Sequence, residues 1–210
     1  YYRGASAVAL REVGMPFDVD LWQGCLEDAV WQAVGELDAR HVVRRVWDRD
    51  HTLWGQDPQG IASRLGWLDA PRRAGQRLAQ WRSIGDDARR DGLRHVVLLG
   101  MGGSSLAAEV LAAAGGRLAD GPPLSEADGP RLTVADSTEP GAVADLERRL
   151  SIARTLFVSA SKSGTTLETS ALTGHFYGLA RRDLGVREAG RRFVAITDRG
   201  SALEHDATAL

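Results

Sequence analysis

Apolar residues in the first 90 positions of the chain recur with the period of an α-helix. Between residues 20 and 39 they return at every fourth position, from Leu21 to Leu37, which places them on one face of a helix. Residues 42–47 repeat this spacing, and residues 71–88 carry the pattern of a longer helix. We therefore predict a helical segment or linker over residues 1–90, in which one face of the first helix is buried.

After residue 90 the pattern changes to short apolar runs that alternate with helical stretches. These runs are rich in valine, leucine and phenylalanine, as strands are. Strands that are separated by helices form a parallel sheet covered on both faces. Residues 91–210 are therefore predicted to be a three-layer α/β sandwich with a parallel sheet in the middle. The four predicted strands are residues 95–100, 131–136, 155–160 and 192–197.

The tryptophans are unevenly distributed, because all six lie before residue 82. Such a group could offer a stacking surface to a ring-bearing ligand. Packing in a core or at an interface needs no ligand and explains the same residues. We therefore expect the tryptophans to be packed against other side chains.

The charge balance bears on possible partners. The chain has 26 Lys and Arg against 28 Asp and Glu, a formal net charge of −2 and a pI of about 6.2. These values give no electrostatic reason to expect nucleic acid or an anionic membrane as a partner. No apolar run approaches the roughly 20 residues that a membrane helix requires, so we expect a soluble protein.

The cysteine content and the first residues bear on the setting of the protein. Cys25 is the only cysteine, so an intrachain disulfide is impossible and a reducing cytoplasm is the expected compartment. The chain begins with Tyr1 rather than methionine and has no signal-peptide pattern. We therefore expect it to be a piece of a longer protein.

The loops that follow the strands are the expected ligand-binding region, because right-handed crossovers open them all on one side of the sheet. The first is GMGGSS, in which Gly102 and Gly103 allow a ligand to approach the backbone. Ser104 or Ser105 is predicted to cap the helix that follows. Such a helix amino terminus suits a phosphate.

The second loop, SASKSGTT, follows the third predicted strand and is rich in hydroxyl groups. Lys162 adds a positive charge. Thr165 and Glu168 have the spacing of a capping box, so part of this loop is expected to start a helix. Neither loop has the spacing of a Rossmann fingerprint or of a P-loop, so the two together predict a small sugar phosphate without a nucleotide, a cofactor or a metal. The hydroxyl donors are Ser161, Ser163, Thr165 and Thr166.

GMGGSS together with SKSGTTLET resembles the sugar isomerase domain of the phosphoglucose isomerases, whose motifs are G-x-G-G-S and S-K-[ST]-x-T-T-x-E-T. The resemblance implies a sugar-isomerase, flavodoxin-like fold and a hexose 6-phosphate as ligand. Ser163 stands where many members have threonine, which keeps the hydroxyl group. By position, the resemblance implies phosphate binding by Gly102, Gly103, Ser104, Ser161, Lys162, Ser163 and Thr166, with Thr165 and Glu168 in supporting places.

The reaction of the family interconverts glucose 6-phosphate and fructose 6-phosphate through an enediol, which needs a base near the substrate. The family's catalytic residues lie later in sequence than the S-K-[ST]-x-T-T loop, and no such motif appears before Leu210. Glu109 and Glu168 are explained by helix starts. We therefore expect no catalytic residue in this chain and negligible activity from it alone, with a second domain completing the site and a homodimer as the full-length form.

Residues 45–71 also resemble the region before the isomerase domain in bacterial fusions of transaldolase to phosphoglucose isomerase. If this holds, a transaldolase domain precedes Tyr1. Nothing in residues 1–90 has the strand–helix alternation of such a barrel.

Two other functions share the predicted fold. Aminosugar or phosphoheptose isomerases usually have S-x-S-G-x-[ST] without the T-T-x-E-T continuation. A non-catalytic phosphosugar sensor would carry a basic helix-turn-helix ahead of the domain, whereas the helices before Gly92 mix acidic residues with arginines. His95, His175 and His205 have no spacing typical of a metal site or a catalytic triad.

Overall fold

The computed structural model describes residues 26–115 and 129–209 of the chain. The chain divides into two compact units between Gln76 and Arg77. The domain boundary predicted at residue 90 stays a prediction. None of the described helices is long and apolar enough to cross a membrane.

The described part of the first unit, residues 26–76, is helical, as the sequence predicts. Two 3-10 helices follow the helix Val42–Trp47, and the helix Ala70–Arg90 runs across the division between the units. His41, with a φ of 50°, turns the chain between the first two helices. The elements are α1 (Glu27–Ala39), α2 (Val42–Trp47), 3-10 helices His51–Leu53 and Ala62–Asp69, and α3 (Ala70–Arg90).

The predicted burial of one face of α1 is wrong for the described residues. Val34 and Leu37 on this face are exposed. Among residues 26–76, which are the part of this unit that the structure describes, only Leu65 and Leu68 are buried. Two buried leucines make a core too small to cover the apolar stripe of a 13-residue helix.

The tryptophans also differ from the expectation. Trp47, Trp54, Trp67 and Trp81 are each about half exposed or more, so packing within the described chain does not explain them. Trp31 is partly buried. Trp22 lies outside the described residues.

The second unit contains a four-stranded parallel sheet flanked by helices. The strands lie in the order Arg131–Ala135, His95–Gly100, Thr155–Ala160 and Phe193–Ile196. The predicted strands are confirmed to within one residue at their ends. Short 3-10 turns occupy Gly102–Ser104 and Ile152–Arg154. The elements are β1 (His95–Gly100), α4 (Leu106–Ala114), β2 (Arg131–Ala135), α5 (Pro140–Arg149), β3 (Thr155–Ala160), α6 (Leu167–Leu184), α7 (Val186–Gly190), β4 (Phe193–Ile196) and α8 (Ala202–Ala209).

The core of this unit lies between one face of the sheet and helices α5 and α6. Phe157 is fully buried in β3, one of the two central strands. It stacks on Phe176 of α6 and Phe193 of β4, with ring centroids 5.1 and 4.9 Å away. Val97 and Leu99 pack in the same cluster. Leu98, which lies between them, points to the opposite face of the sheet, because side chains alternate along a strand. It is buried on that face as well.

The amino terminus of α5 shows how the sequence starts a helix here. Pro140 is at the beginning of the helix, where its missing N–H costs nothing. The carboxylate of Glu139 caps the helix by accepting hydrogen bonds from the N–H groups of Gly141 and Ala142, at 3.0 and 2.7 Å. These bonds hold the pKa of Glu139 below its ordinary value.

Candidate functional site

The strand order places the two predicted ligand loops side by side. From β1 the chain moves outward to β2, then crosses back to β3 on the other side of β1. With right-handed crossovers, α4 therefore lies on one face of the sheet, and α5 and α6 lie on the other. The crevice between the carboxyl ends of β1 and β3 is the topological switch point, which is the usual ligand position in such sheets.

Gly100 brings the two loops close together. It ends β1 and is paired in register with Ala160, which ends β3. A Cβ at Gly100 would lie 3.2 Å from the carbonyl oxygen of Ala160 and 3.4 Å from the Cβ of Ser104. A glycine at this position therefore lets the turn after β1 approach the end of β3.

The turn Gly102–Ser104 presents open backbone at this crevice. Gly102 has a φ of 52°, which favours glycine. A Cβ on Gly102 or Gly103 would meet no atom within 4 Å, so both glycines face free space. A ligand can therefore approach their backbone.

Ser105 has a different role from the predicted cap. It occupies the N-cap position of α4, but its side chain makes no capping bond. The buried hydroxyl instead donates to the carbonyl oxygen of Gly102 at 3.1 Å, which fixes the turn. Because the first N–H groups of a helix have no intrahelical partner, the start of α4 keeps its capacity to bind an anion.

Ser161 organises the second loop from inside. It is 3% exposed, and its hydroxyl oxygen accepts a hydrogen bond from the N–H of Gly164 at 3.1 Å. The same hydroxyl lies 2.9 Å from Oγ1 of Thr166. Since Ser161 already has two partners within the loop, its present role is to hold the loop in shape.

Ser163 and Thr165 form the outer part of the loop. Both are exposed, and their hydroxyl oxygens are 2.9 Å apart. The N–H of Thr165 donates to the hydroxyl of Ser163 at 3.2 Å. These two hydroxyl groups are accessible to a ligand, whereas that of Ser161 is not.

The predicted capping box of Thr165 and Glu168 is wrong. Helix α6 begins at Leu167 with Thr166 as its N-cap, and no side chain makes a capping bond there. Glu168 is therefore the second residue of the helix, one position short of the place that a capping box requires. The hydroxyl of Thr166 instead lies 2.9 Å from that of Ser161.

Lys162 extends away from the loop to the turn after β4. Its Nζ is 2.8 Å from Oδ2 of Asp198, with the two side chains 61% and 60% exposed. The N–H of Asp198 and the hydroxyl of Thr197 both donate to the carbonyl oxygen of Lys162, at 3.2 and 3.4 Å. The turn after β4 is thus joined to the loop after β3 by main-chain and side-chain bonds.

Gly164 packs directly on the start of α8. Its φ is 71°, and a Cβ there would lie 2.6 Å from the backbone nitrogen of Leu203 and 3.0 Å from that of Ala202. This contact fixes the loop against the segment that follows β4. Ser201 supports that segment, because its buried hydroxyl lies 2.7 Å from Oγ1 of Thr197 and accepts the N–H of Glu204 at 3.1 Å.

The acidic and histidine side chains considered from the sequence lie at structural positions. Glu109 and Glu168 are in the first turns of α4 and α6, where a negative charge complements the helix dipole. His175 Nε2 is 3.4 Å from Glu147 Oε2, between two helices. No group of three or more potential metal ligands occurs within residues 26–115 and 129–209.

Sequence reasoning missed the turn after β4, residues 197–201, as part of this region. The signal was available, because β4 is parallel to β3 and its carboxyl end opens on the same side of the sheet. The sequence TDRGS there contains two hydroxyl groups and a carboxylate. The other two loops were selected because they follow parallel strands and contain hydroxyl groups, and both criteria apply to this turn as well.

The fold and these loops define a class of protein, the doubly wound α/β domains with a ligand crevice at the switch point. No protein-family model matches the chain. The chain is 29% identical over 164 residues to the glucose-6-phosphate isomerase of Chlamydia muridarum (strain MoPn / Nigg), a match that covers 78% of this chain. It spans only 28% of the length of that relative.

Two solved structures are similar to this one. A hypothetical protein from Thermus thermophilus has a TM-score of 0.58 and 29% identity, over 83% of this chain and 39% of its own. A glucose-6-phosphate isomerase from Chlamydia trachomatis D/UW-3/Cx has a TM-score of 0.51 and 26% identity, over 75% of this chain and 28% of its own. These similarities confirm the resemblance to phosphoglucose isomerases and the predicted α/β fold.

Proposed function

We propose that this chain is the phosphosugar-binding part of a glucose-6-phosphate isomerase, which interconverts glucose 6-phosphate and fructose 6-phosphate through an enediol. One observation carries the proposal. Two loops rich in glycine and hydroxyl groups meet at the switch point, where Gly100 packs against Ala160 and Ser104. The similarity to two glucose-6-phosphate isomerases supports this substrate class.

The proposed binding groups have distinct roles. The backbone of Gly102 and Gly103 and the hydroxyl of Ser104 face the phosphate from the β1 side. Ser163 contributes an accessible hydroxyl from the β3 side, and Lys162 adds the positive charge. The remaining predicted binders, Ser161 and Thr166, together with Thr165, hold the second loop in shape through the bonds described above.

The isomerisation itself requires a base that moves a proton between C1 and C2. We assign no residue of this chain to that role, and Glu168 stays a supporting residue at the start of α6. The chain matches less than a third of the Chlamydia muridarum isomerase, and we place the base in the part of such a protein that the chain does not match. In this proposal the chain alone binds hexose 6-phosphate and turns it over negligibly. The whole protein is a cytoplasmic homodimer that needs no cofactor.

The test is calorimetric titration of the 210-residue chain with fructose 6-phosphate, glucose 6-phosphate, glucosamine 6-phosphate and inorganic phosphate. Saturable binding of the two hexose phosphates is expected, with weaker binding of inorganic phosphate. A clear preference for glucosamine 6-phosphate would favour an aminosugar isomerase instead. The absence of binding by folded protein would contradict the proposal.

Gly103→Ala sharpens this test. The new methyl group meets no protein atom within 4 Å, so the fold tolerates the substitution. The methyl group nevertheless occupies the space through which a phosphate would reach the backbone. We expect binding to weaken by about tenfold or more, as the loss of a hydrogen bond to a charged group does. The control is Gly178→Ala, which adds a methyl group to open space on α6 and should leave binding unchanged.

A further inference from the structure

Lys162 differs from every other basic residue of the chain. The sequence contains 26 lysines and arginines in total, and Lys162 is the only lysine among them. All other positive side chains are guanidinium groups, including those on the described helices. The one ammonium group therefore lies in the loop that we propose to bind phosphate.

Lysine and arginine behave differently beside a carboxylate. A guanidinium forms two parallel hydrogen bonds to a carboxylate and is held by that geometry. An ammonium is a compact charge on a flexible stem and can exchange one acceptor for another. Within the described residues Lys162 contacts one carboxylate, with Nζ against Oδ2 of Asp198, and both side chains are mostly exposed. Exposed pairs of this kind are weak, so the contact can be exchanged.

The direction of the contact also matters. Asp198 follows β4, and the turn Gly102–Ser104 follows β1, on the opposite side of β3. The pair therefore draws the ammonium of Lys162 toward β4, whereas the switch point lies toward β1. The loop itself does not depend on this ion pair, because the N–H of Asp198 and the hydroxyl of Thr197 bind the carbonyl oxygen of Lys162.

We infer that Asp198 is a positioning residue that competes with the phosphate of the substrate for Lys162. In the free chain its carboxylate holds the ammonium on the β4 side, and binding of a phosphate transfers the ammonium from Asp198 to the phosphate oxygens. Asp198 thus lowers the affinity for phosphate and lets the product leave. This inference rests on the proposed function, since it takes the loop after β3 as the phosphate site.

The test is titration of the 210-residue chain with inorganic phosphate and with fructose 6-phosphate. Asp198→Asn keeps the backbone bond and removes the competing charge. We expect it to bind both ligands roughly two- to fivefold more tightly, the range that an exposed ion pair contributes. Asp183→Asn is the matched control, because Asp183 is an exposed acid paired with Arg182 at the end of α6. It changes the net charge equally and should leave affinity unchanged.

A second pair of variants separates competition for the lysine from simple charge repulsion. In a Lys162→Gln background, Asp198→Asn should have little effect, because no ammonium remains to be released. An equal gain in that background would overturn the inference.

The outcomes distinguish the two proposals. If wild type binds and Asp198→Asn has the same or weaker affinity, the proposed function stands and the inference falls. If neither protein binds phosphate or fructose 6-phosphate, both fall. Because Lys162 is the only lysine, its side-chain ammonium NMR signal is a direct readout that a merely structural role would not move. That signal should shift on addition of phosphate to wild type.

Discussion

Gly164 determines the shape of the loop after β3. Its φ of 71° and its approach to the backbone of Leu203 leave no room for a side chain. Its N–H is also the donor to the buried hydroxyl of Ser161. A glycine is therefore required by conformation and by space.

We predict that Gly164→Ala destabilises the chain by at least about 1–3 kcal/mol, the cost of a strained backbone position, because the nearest clash is with backbone atoms that cannot move aside. The measurement is chemical denaturation followed by circular dichroism. Gly178→Ala is the matched control. It lies inside α6 in open space and should stabilise the chain by about 0.5–1 kcal/mol. Equal effects of the two substitutions would contradict this account of Gly164.

The start of helix α5 gives the chain a pH-dependent contribution to stability. Hydrogen bonds from Gly141 and Ala142 favour the charged form of Glu139 and hold its pKa below the ordinary value of 4.5. In the unfolded chain Glu139 titrates near that ordinary value. The unfolded state therefore binds more protons between the two pKa values, and folding stability from this group rises with pH in that window.

We predict that Glu139→Gln is less stable than wild type at pH 7 and equally stable once the pH lies below the folded pKa. The contribution is fully present above pH 4.5 and is lost as the pH falls through the lowered pKa. Urea midpoints of both proteins from pH 7 to pH 3 measure this difference. A difference between the two urea midpoints that stays constant from pH 7 to pH 3 would show that the charge of the Glu139 carboxylate does not contribute to stability.

The elements themselves could be predicted from the sequence, whereas the bonds in the loops could not. Apolar runs and helical periods located the four strands of the sheet and the helices between them, because such patterns are carried by residues that are close together in the sequence. The capping box failed because helix α6 begins one residue later than the sequence signal places it, with Thr166 rather than Thr165 as its N-cap. Asp198 lies 36 residues from Lys162, and only the adjacency of β3 and β4 brings them together.

The two units of the molecule differ in how much apolar surface they bury. Within the described residues of the first unit, Leu65 and Leu68 are buried, while Val43 and Trp47 are exposed. The second unit has a cluster that includes the stacked ring of Phe157. Because burial of apolar surface is the main stabilising contribution to folding, most of the stability of the described chain is expected in the sheet of the second unit.

We predict that hydrogen exchange will follow this division. Amides of β1 and β3 should exchange most slowly, since local opening free energies range from near zero up to the global value for core strands. Amides of α1 and α2 should exchange much faster. Phe157→Ala should speed exchange in the sheet by at least about a hundredfold, because truncating a buried phenylalanine costs about 3–5 kcal/mol.

Mass spectrometry of peptides from the exchanged protein measures both effects. If Phe157→Ala does not fold, Phe157→Leu keeps most of the volume and should give a smaller acceleration in the same peptides. Equal protection of α1 and β3 in the wild-type chain would contradict the prediction. It would mean that the exposed apolar faces of the first unit are covered in solution, which would also explain why its tryptophans lie at the surface of the described chain.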